Sequence, residues 1–196
     1  AREGADIIDV GGESTRPGSR PVKLDEELRR TIPLVSKLTG ELNIPISIDT
    51  SKSEVAREAI SAGASMINDV TGLRSDPDMA GVAADSGASV CVMHMRGRPL
   101  YMQDDPGYGD LIREILEGLE ESISIARDNG IPEEKIILDP GIGFGKSYSH
   151  NLTILNRLDE FMVLDKPILL GLSRKSFIGA ALSREVHERL AGTLAA

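Results

Sequence analysis

Short apolar runs alternate along the chain with longer amphipathic stretches. The runs have the length of buried strands, and the longer stretches carry apolar residues at helical spacing. This alternation predicts repeated strand–helix units and a parallel sheet. Pro33 is expected to kink the first helix or to mark a shorter start. The predicted strands are Ile7–Val10, Ile46–Ile48, Met66–Ile67, Val90–Met93, Ile136–Leu138 and Ile168–Leu170. The predicted helices are Leu24–Leu42, Ser53–Ala62, Asp78–Ser86, Asp110–Asn129, Tyr148–Asp159 and Arg184–Ala195.

A polar cluster directly follows each of the six predicted strands. A doubly wound sheet concentrates its site at one switch point, whereas a (β/α)8 TIM barrel draws its site from the ends of many strands. We therefore predict a single α/β domain over residues 1–196, a TIM barrel without its first and last strands, since its length is at the low limit for that fold. The clusters are Asp9–Glu13, Asp49–Thr50, Asn68–Asp69, His94–Gly97, Asp139–Gly141 and Ser173–Ser176.

Composition narrows the classes of ligand. The formal net charge is -9, aromatic residues make up 3% and Trp is absent, so neither a basic face nor stacking platforms for nucleic acid are expected. The single cysteine, Cys91, excludes an internal disulfide framework and lies in an apolar run, where it is expected to be a small core residue. Neither a signal peptide nor a bilayer-spanning run is recognisable, so a cytoplasmic location is predicted.

The glycine-rich stretch from Asp139 to Ser147 ends like a phosphate-binding loop, in Gly145–Lys146–Ser147. Pro140 stands where that motif needs its first glycine and removes a backbone donor, so a nucleoside triphosphatase is not expected. The preferred interpretation is that Asp139 points into the barrel mouth, while the glycines beside Phe144 let a flat ligand approach. The alternative is that Asp139 caps a helix.

Asp49 and Asn68 follow neighbouring predicted strands and are candidates for reading a heterocycle. An aspartate accepts parallel N–H bonds from an amino-pyrimidine edge, and an asparagine offers both a donor and an acceptor. The alternative for Asp49 is to cap the helix that begins near Ser53, and Asp69 is expected to be a structural partner.

Two further stretches suggest anion or substrate contacts. The loop Gly11–Gly18 is predicted to be a mobile flap that presents a hydroxyl and a guanidinium, with a solvated surface turn as the alternative. Ser173–Ser176 lies where barrels often bind phosphate. His94 is expected to be structural and the other two histidines to lie at the surface. Because histidine and cysteine do not occur at metal-ligand spacing, zinc is not expected.

With these residues in view, the chain resembles the dihydropteroate synthase family. The resemblance spans nearly the whole chain, and its six motifs occur in the family's order. They are Asp-Val-Gly-Gly-Glu-Ser-Thr-Arg-Pro-Gly (9–18), Ser-Ile-Asp-Thr (47–50), Asn-Asp-Val (68–70), Met-His-Met-Arg-Gly (93–97), Asp-Pro-Gly-Ile-Gly-Phe-Gly-Lys (139–146) and Gly-Leu-Ser-Arg-Lys-Ser-Phe-Ile-Gly (171–179).

The resemblance implies a Mg²⁺-dependent homodimeric transferase of folate synthesis that is a target of sulfonamides. Such an enzyme joins 4-aminobenzoate to 6-hydroxymethyl-7,8-dihydropterin diphosphate and releases pyrophosphate. It also implies that Asp49, Asp139 and Lys175 are catalytic. The implied pterin site is Asp49, Asn68, Met93, Asp139, Gly171 and Lys175, and the implied aminobenzoate side is Thr15, Arg16, Phe144 and Ser176.

One departure from the family concerns the diphosphate pocket. The family's first strand, whose Asn binds Mg²⁺ and pyrophosphate, and its final strand, with an Arg and a His, are expected to be absent, so no metal ligand is assigned in this chain. Whether the chain alone is active is left open. Two alternatives also remain: a methyltetrahydrofolate-dependent corrinoid methyltransferase, which Lys175 and Ser176 argue against, and a pterin-binding barrel without catalysis.

Overall fold

The computed structural model describes residues 3–16, 18–97, 102 and 107–196. Pro17, which belongs to the predicted flap, lies outside these residues. The strands are β1 (Ile8–Gly11), β2 (Ile46–Asp49), β3 (Met66–Asp69), β4 (Ser89–Met93) and β5 (Ile136–Asp139). The α-helices are α1 (Leu24–Glu41), α2 (Ser53–Ser61), α3 (Met79–Ser86), α4 (Leu111–Asp128), α5 (Tyr148–Asn156), α6 (Ser176–Leu182) and α7 (Leu190–Ala195). Three 3-10 helices occupy Glu133–Lys135, Leu158–Leu164 and Val186–Glu188.

The five strands form one parallel sheet in the order β1-β2-β3-β4-β5. Each new strand is added beside the previous one, as around a (β/α)8 barrel, whereas a doubly wound sheet reverses its order at a switch point. A parallel bridge from Leu138 to Ile168 continues the series beyond β5. The predicted sixth strand is therefore reduced to one bridge, supported by a hydrogen bond from Leu169 N to Leu138 O (2.8 Å).

The strand register divides the side chains between two faces of the sheet. Side chains alternate along a strand, and residues paired in register share a face. The outer face is apolar and packs against the helices in the hydrophobic core; it comprises Ile8, Val10, Ile46, Ile48, Ile67, Val90, Val92, Ile136 and Leu138. The inner face carries Asp9, Gly11, Ser47, Asp49, Met66, Asn68, Cys91, Met93 and Asp139.

The first helix forms as one element despite its internal proline. α1 begins at Leu24, so the predicted shorter start is wrong. Pro33 and Arg29, whose carbonyl loses its helical partner, are both exposed, so water can satisfy that carbonyl. The N-terminal turn also carries Asp25, Glu26 and Glu27, whose charges suit the positive end of the helix dipole.

The predicted helices in the last quarter of the chain are partly wrong. The stretch Tyr148–Asp159 is interrupted after Asn156, where a 3-10 helix follows. The stretch Arg184–Ala195 is divided between a 3-10 helix and α7. The sequence analysis also missed α6, which ends because Ser183 adopts a left-handed conformation (φ 53°).

The structure bears on two expectations drawn from composition, the burial of Cys91 and the lack of a membrane-spanning run. Cys91 is fully buried, and burial raises the pKa of its thiol well above the usual value, so it behaves as the predicted small interior residue. Among the described residues, none of the helices combines the length and apolarity needed to span a membrane.

Candidate functional site

The register places four of the predicted site residues side by side on the inner face. Asp49 pairs with Asn68, and Met93 pairs with Asp139. Asn68 also pairs with Cys91, which lies on the same side of β4 as Met93. Since neighbouring strands are about 4.8 Å apart, these side chains form one continuous strip. The structure therefore joins residues that are far apart in sequence.

Asp49 is the most unusual member of this strip. Its Oδ1 atom is buried and has no hydrogen-bond partner among the described residues. Burial, followed by the charge of the neighbouring Asp9 carboxylate, raises the pKa of Asp49 to about 7. The capping alternative is wrong, because the backbone N–H of Ser53 at the start of α2 donates instead to Asp76 Oδ2 (2.7 Å). A buried acceptor without a donor is costly to the fold and is typical of a site built for a ligand.

Asn68 is held by a residue that the sequence analysis did not assign to the site. Its Nδ2 atom donates to Asp9 Oδ2 at 3.1 Å. The available signal was strand alternation, because Asp9 stands two residues before Gly11 on the same face of β1. Asp69 lies on the outer face and accepts bonds from the loop that follows, including Thr71 N (2.8 Å). It is a structural partner, as expected.

Asp139 is buried at the end of β5 and faces two loops of the site. Its Oδ1 atom accepts a bond from Gly141 N (2.7 Å). Burial raises its pKa, while the Gly141 bond and the charge of Lys175 oppose that rise. A Cβ on Gly171 would lie 3.4 Å from Lys175 Nζ and 4.0 Å from Asp139 Oδ2, so the carboxylate and the ammonium converge beside this glycine. Helix α5 is capped by Ser147, which excludes the capping alternative for Asp139.

Lys175 reaches back from the last loop to the glycine-rich loop after β5. Its ammonium donates to the carbonyl oxygen of Ile142 and lies 4.7 Å from the centre of the Phe144 ring. Burial lowers the pKa of Lys175, and the Asp139 carboxylate opposes that effect. Asp139, Phe144 and Gly171 thus all lie close to the Lys175 side chain.

A second buried lysine, Lys146, ties the loop after β4 to the loop after β5. Its ammonium lies 3.1 Å from His94 Nδ1, 3.2 Å from His94 O and 3.1 Å from Phe144 O. Burial lowers the pKa of Lys146 to about 7, and that of His94 to about 3, so His94 is neutral and can accept this bond. A Cβ on Gly141 would lie 2.0 Å from His94 O, and one on Gly145 would lie 2.5 Å from the backbone oxygen of Arg96. His94 is structural, as expected; the role of Lys146 was missed.

The loop after β1 is anchored at its base and exposed at its tip. Glu13 Oε2 accepts a bond from Val22 N (2.8 Å) and pairs with Lys52 Nζ (2.7 Å). Thr15 borders a cleft of about 720 Å³ that is also lined by Lys52, Arg74 and Met95. Arg16 in this loop and Ser176 at the start of α6 are exposed. No hydrogen bond or ion pair found among the described residues joins either of them to the inner-face strip.

The acidic, histidine and cysteine side chains are dispersed over the described part of the chain. Across residues 3–16, 18–97, 102 and 107–196, no three His, Cys, Asp or Glu side chains are grouped so that they could hold a metal ion.

The two remaining histidines differ in exposure. His150, expected at the surface, is half-buried, because its ring packs edge-on against Tyr108 and its Nδ1 accepts a bond from Ser147 N. His187 is exposed as expected.

Comparison with known proteins identifies the family. The profile described as pterin binding enzyme matches residues 1–196. The chain is 51% identical over 192 residues to dihydropteroate synthase from Clostridium beijerinckii, covering 98% of this chain and 69% of that protein. A structure of dihydropteroate synthase from Clostridium difficile, solved in the presence of pteroic acid, has a TM-score of 0.93 at 51% identity, covering 99% of this chain and 72% of that chain.

A second structural neighbour is dihydropteroate synthase from Xanthomonas albilineans with 4-aminobenzoic acid, with a TM-score of 0.93 at 45% identity. It covers 99% of this chain and 69% of that chain. The chain spans about two thirds of the length of the curated relatives it matches. These similarities confirm the predicted TIM-barrel fold and transferase class, and they favour the synthase over both alternatives. The chain belongs to the dihydropteroate synthase family of pterin-binding enzymes.

Proposed function

We propose that this chain provides the pterin pocket of an enzyme that joins 4-aminobenzoate to 6-hydroxymethyl-7,8-dihydropterin diphosphate. The observation that carries the proposal is the unpartnered, buried Oδ1 of Asp49 beside Asn68, on the same face as Asp139. A pterin edge supplies the N–H donors that such a strip lacks. The pteroic acid and 4-aminobenzoic acid of the two neighbouring structures support the same substrate class.

In this proposal each inner-face residue has a distinct part in binding. Asp49 and Asp139 accept N–H bonds from the heterocycle, and Asn68 contributes an amide contact. Met93 is almost fully buried and offers an apolar wall for the flat ring. Gly171 leaves space beside the ring, and Lys175 supplies a cation at the same point. Binding would therefore give Asp49 Oδ1 the donor it lacks.

The chemical step suits a strip of carboxylates without a strong base. The carbon–oxygen bond of the pterin diphosphate breaks and its electron pair leaves with pyrophosphate, so that the pterin methylene becomes cationic. The aminobenzoate nitrogen then forms the carbon–nitrogen bond and loses a proton to solvent. Asp49 and Asp139 would stabilise the developing positive charge, because preorganised groups act strongly where water is excluded. The arylamine is already neutral at pH 7, so no Ser-His-Asp arrangement is needed.

The aminobenzoate side is proposed to lie between the loop after β1 and the last loop. Thr15 borders the cleft, and the Phe144 ring lies against the Lys175 ammonium. Arg16 and Ser176 are proposed to approach when substrate is bound, since both are exposed and Glu13 anchors the base of the loop that carries Arg16. Arg is suited to pairing with the planar carboxylate of aminobenzoate.

Three further properties are proposed from the family resemblance alone. These are a requirement for Mg²⁺, a homodimeric assembly and a cytoplasmic location. No step above depends on the ion.

The test is an assay of the complete protein with both substrates and Mg²⁺, following pyrophosphate and dihydropteroate. Asp139→Ala and Lys175→Ala are expected to lower turnover by at least ~10²-fold, as loss of a transition-state contact should. The exposed residues Asp159 and Lys37 provide matched control substitutions to alanine. Near-normal rates in Asp139→Ala and Lys175→Ala would remove these assignments, and methyl transfer to a corrinoid would favour the alternative enzyme. A sulfonamide should compete with aminobenzoate.

A further inference from the structure

The hydrogen bond between Asp9 and Asn68 has no part in the chemistry described above. We propose that Asp9 is a positioning residue, which fixes the Asn68 amide so that its carbonyl oxygen faces the bound pterin. This inference rests on the proposed function, because it gives Asn68 a defined orientation in the same pocket. Asp9 itself does not need to touch the substrate.

The sheet geometry explains how Asp9 reaches Asn68 across an intervening strand. Asp9 pairs in register with Ser47 on β2, and Asn68 lies on β3. Asn68 also lies two residues beyond Met66, the β3 residue in register with Ser47. On a flat sheet the Cα atoms of Asp9 and Asn68 would therefore be about 12 Å apart, and barrel curvature shortens that span on the inner face. Ser47 is small, so it leaves room for the Asp9 and Asn68 side chains to meet at 3.1 Å. At Gly11, which pairs with Asp49, β1 presents no side chain that could compete.

The chemistry of the two groups determines the direction of the bond. An ionised carboxylate can only accept, so the amide must turn its NH2 group toward Asp9. The amide oxygen of Asn68 then points elsewhere and can accept from a ligand N–H, while one amide hydrogen remains. An asparagine at position 9 could present either its oxygen or its nitrogen. The orientation of Asn68 would then no longer be fixed, and selection for an N–H donor at that position would weaken.

Asp9 also belongs to the charged surroundings of Asp49. The groups that raise the pKa of Asp49 after burial are Asp9, Asp69, Glu27 and Glu13, and Lys52 is paired with the two glutamates. Removing the charge at position 9 should lower the pKa of Asp49. Moving that charge to position 68, which pairs with Asp49, should restore a carboxylate neighbour. This shift therefore reports the charge beside Asp49, whereas the orientation of Asn68 is reported by ligand binding.

The test uses calorimetric binding of 6-hydroxymethyl-7,8-dihydropterin diphosphate to the complete protein and six variants, one of which is Asn68→Ala. Asp9→Asn and Asp9→Ser should each weaken binding about tenfold, the usual consequence of losing a hydrogen bond to a charged group. Asn68→Asp should weaken it at least as much, because two carboxylates then face each other. In the double variant Asp9→Asn with Asn68→Asp, the amide at 9 donates to the carboxylate at 68, and binding should recover to within about threefold of the original value. Asp6→Asn, an exposed carboxylate before β1, is the matched control.

The second readout is the acid limb of kcat/KM against pH. It should move to lower pH in Asp9→Asn and return in the double variant. Normal binding and an unmoved acid limb in Asp9→Asn and Asp9→Ser, together with lost binding in Asn68→Ala, would overturn this inference and leave the proposed function standing. Normal binding in Asn68→Ala would instead overturn the assignment of the pterin pocket.

Discussion

The two faces of the five-stranded sheet are built from alternate residues of the same strands, yet they differ in every property that matters for stability. On the outer face, residues such as Ile48 and Ile67 are fully buried in the hydrophobic core and carry no polar side-chain atoms that need a partner. On the inner face, Asp49 and Ser47 each keep a buried oxygen without a hydrogen-bond partner among the described residues. The outer face therefore stabilises the barrel, and the inner face lowers its stability in order to hold a ligand.

The same contrast explains how one short strand can both pack into the core and contribute to the ligand site. A four-residue strand such as β2 presents two side chains to each face. Its outward residues, Ile46 and Ile48, anchor it in the core. Its inward residues, Ser47 and Asp49, are thereby free to be chosen for binding. Substitutions on the two faces should change the free energy of unfolding in opposite directions.

The largest change is expected from shortening an outer-face residue. Ile48→Ala should lower the free energy of unfolding by about 3 kcal/mol, because it removes buried methyl groups and leaves a cavity. Urea unfolding would measure this loss, with the exposed Leu34→Ala as control. Since Ile48 faces away from the site, pterin binding by the folded variant should stay within about twofold. A large loss of affinity would show that the two faces are not independent.

An inner-face substitution of intermediate effect is Asp49→Asn, which should stabilise the protein above pH 7. The folded pKa of Asp49, about 7, exceeds its ordinary value of 3.8. The stabilising contribution of the protonated carboxyl is fully present below pH 3.8 and is lost as pH rises through 7. A shift of this size corresponds to a loss of at most about 4 kcal/mol, and the amide of the variant is itself a buried polar group. Its gain should therefore be about half of that, ~2 kcal/mol, at pH 8 and should shrink toward zero near pH 4.

Unfolding curves at several pH values would measure the difference between Asp49→Asn and the original protein. The control is Asp159→Asn, an exposed carboxylate whose substitution should leave the pH dependence unchanged. Equal stability of Asp49→Asn and the original protein across this range would contradict the strained inner face.

The smallest effect is expected at Ser47. Ser47→Ala removes a buried hydroxyl that has no partner, and it should raise the free energy of unfolding by about 0.5–1 kcal/mol. Ser122 is also buried, but its Oγ donates to Gly118 O at 3.1 Å. Ser122→Ala should therefore destabilise by about 1 kcal/mol. Thermal unfolding of the two variants would compare them, and a loss of stability in both would show that Ser47 is satisfied in solution.

Sequence patterns were sufficient for features that depend on local spacing. The apolar runs gave the position of the five strands, and polar residues predicted at the strand ends, such as Asp49 and Asp139, lie on the inner face of the sheet. The contribution of Asp9 was missed, because strand alternation places it on the inner face but its bond to Asn68 depends on the register of three strands. The Lys146 contacts with His94 were missed for the same reason, since they join loops 52 residues apart. Helix α6 was missed because its boundary is set by the backbone conformation of Ser183 rather than by apolar spacing.

Gly141 and Gly145 fit closely against the loop after β4, and this limits which positions of the pocket can be substituted during evolution. Any side chain at Gly141 or Gly145 would collide with backbone oxygens of that loop, and backbone cannot yield as a flexible side chain can. Single substitutions at either glycine would therefore disrupt the contact between the loops after β4 and β5, which we call the pocket floor, instead of reshaping it. The loop after β1 is held near Glu13 and is exposed at Arg16, so a changed side chain there meets water instead of packed backbone. Adaptation to altered ligands or evasion of inhibitors should accumulate there, while the floor stays constant.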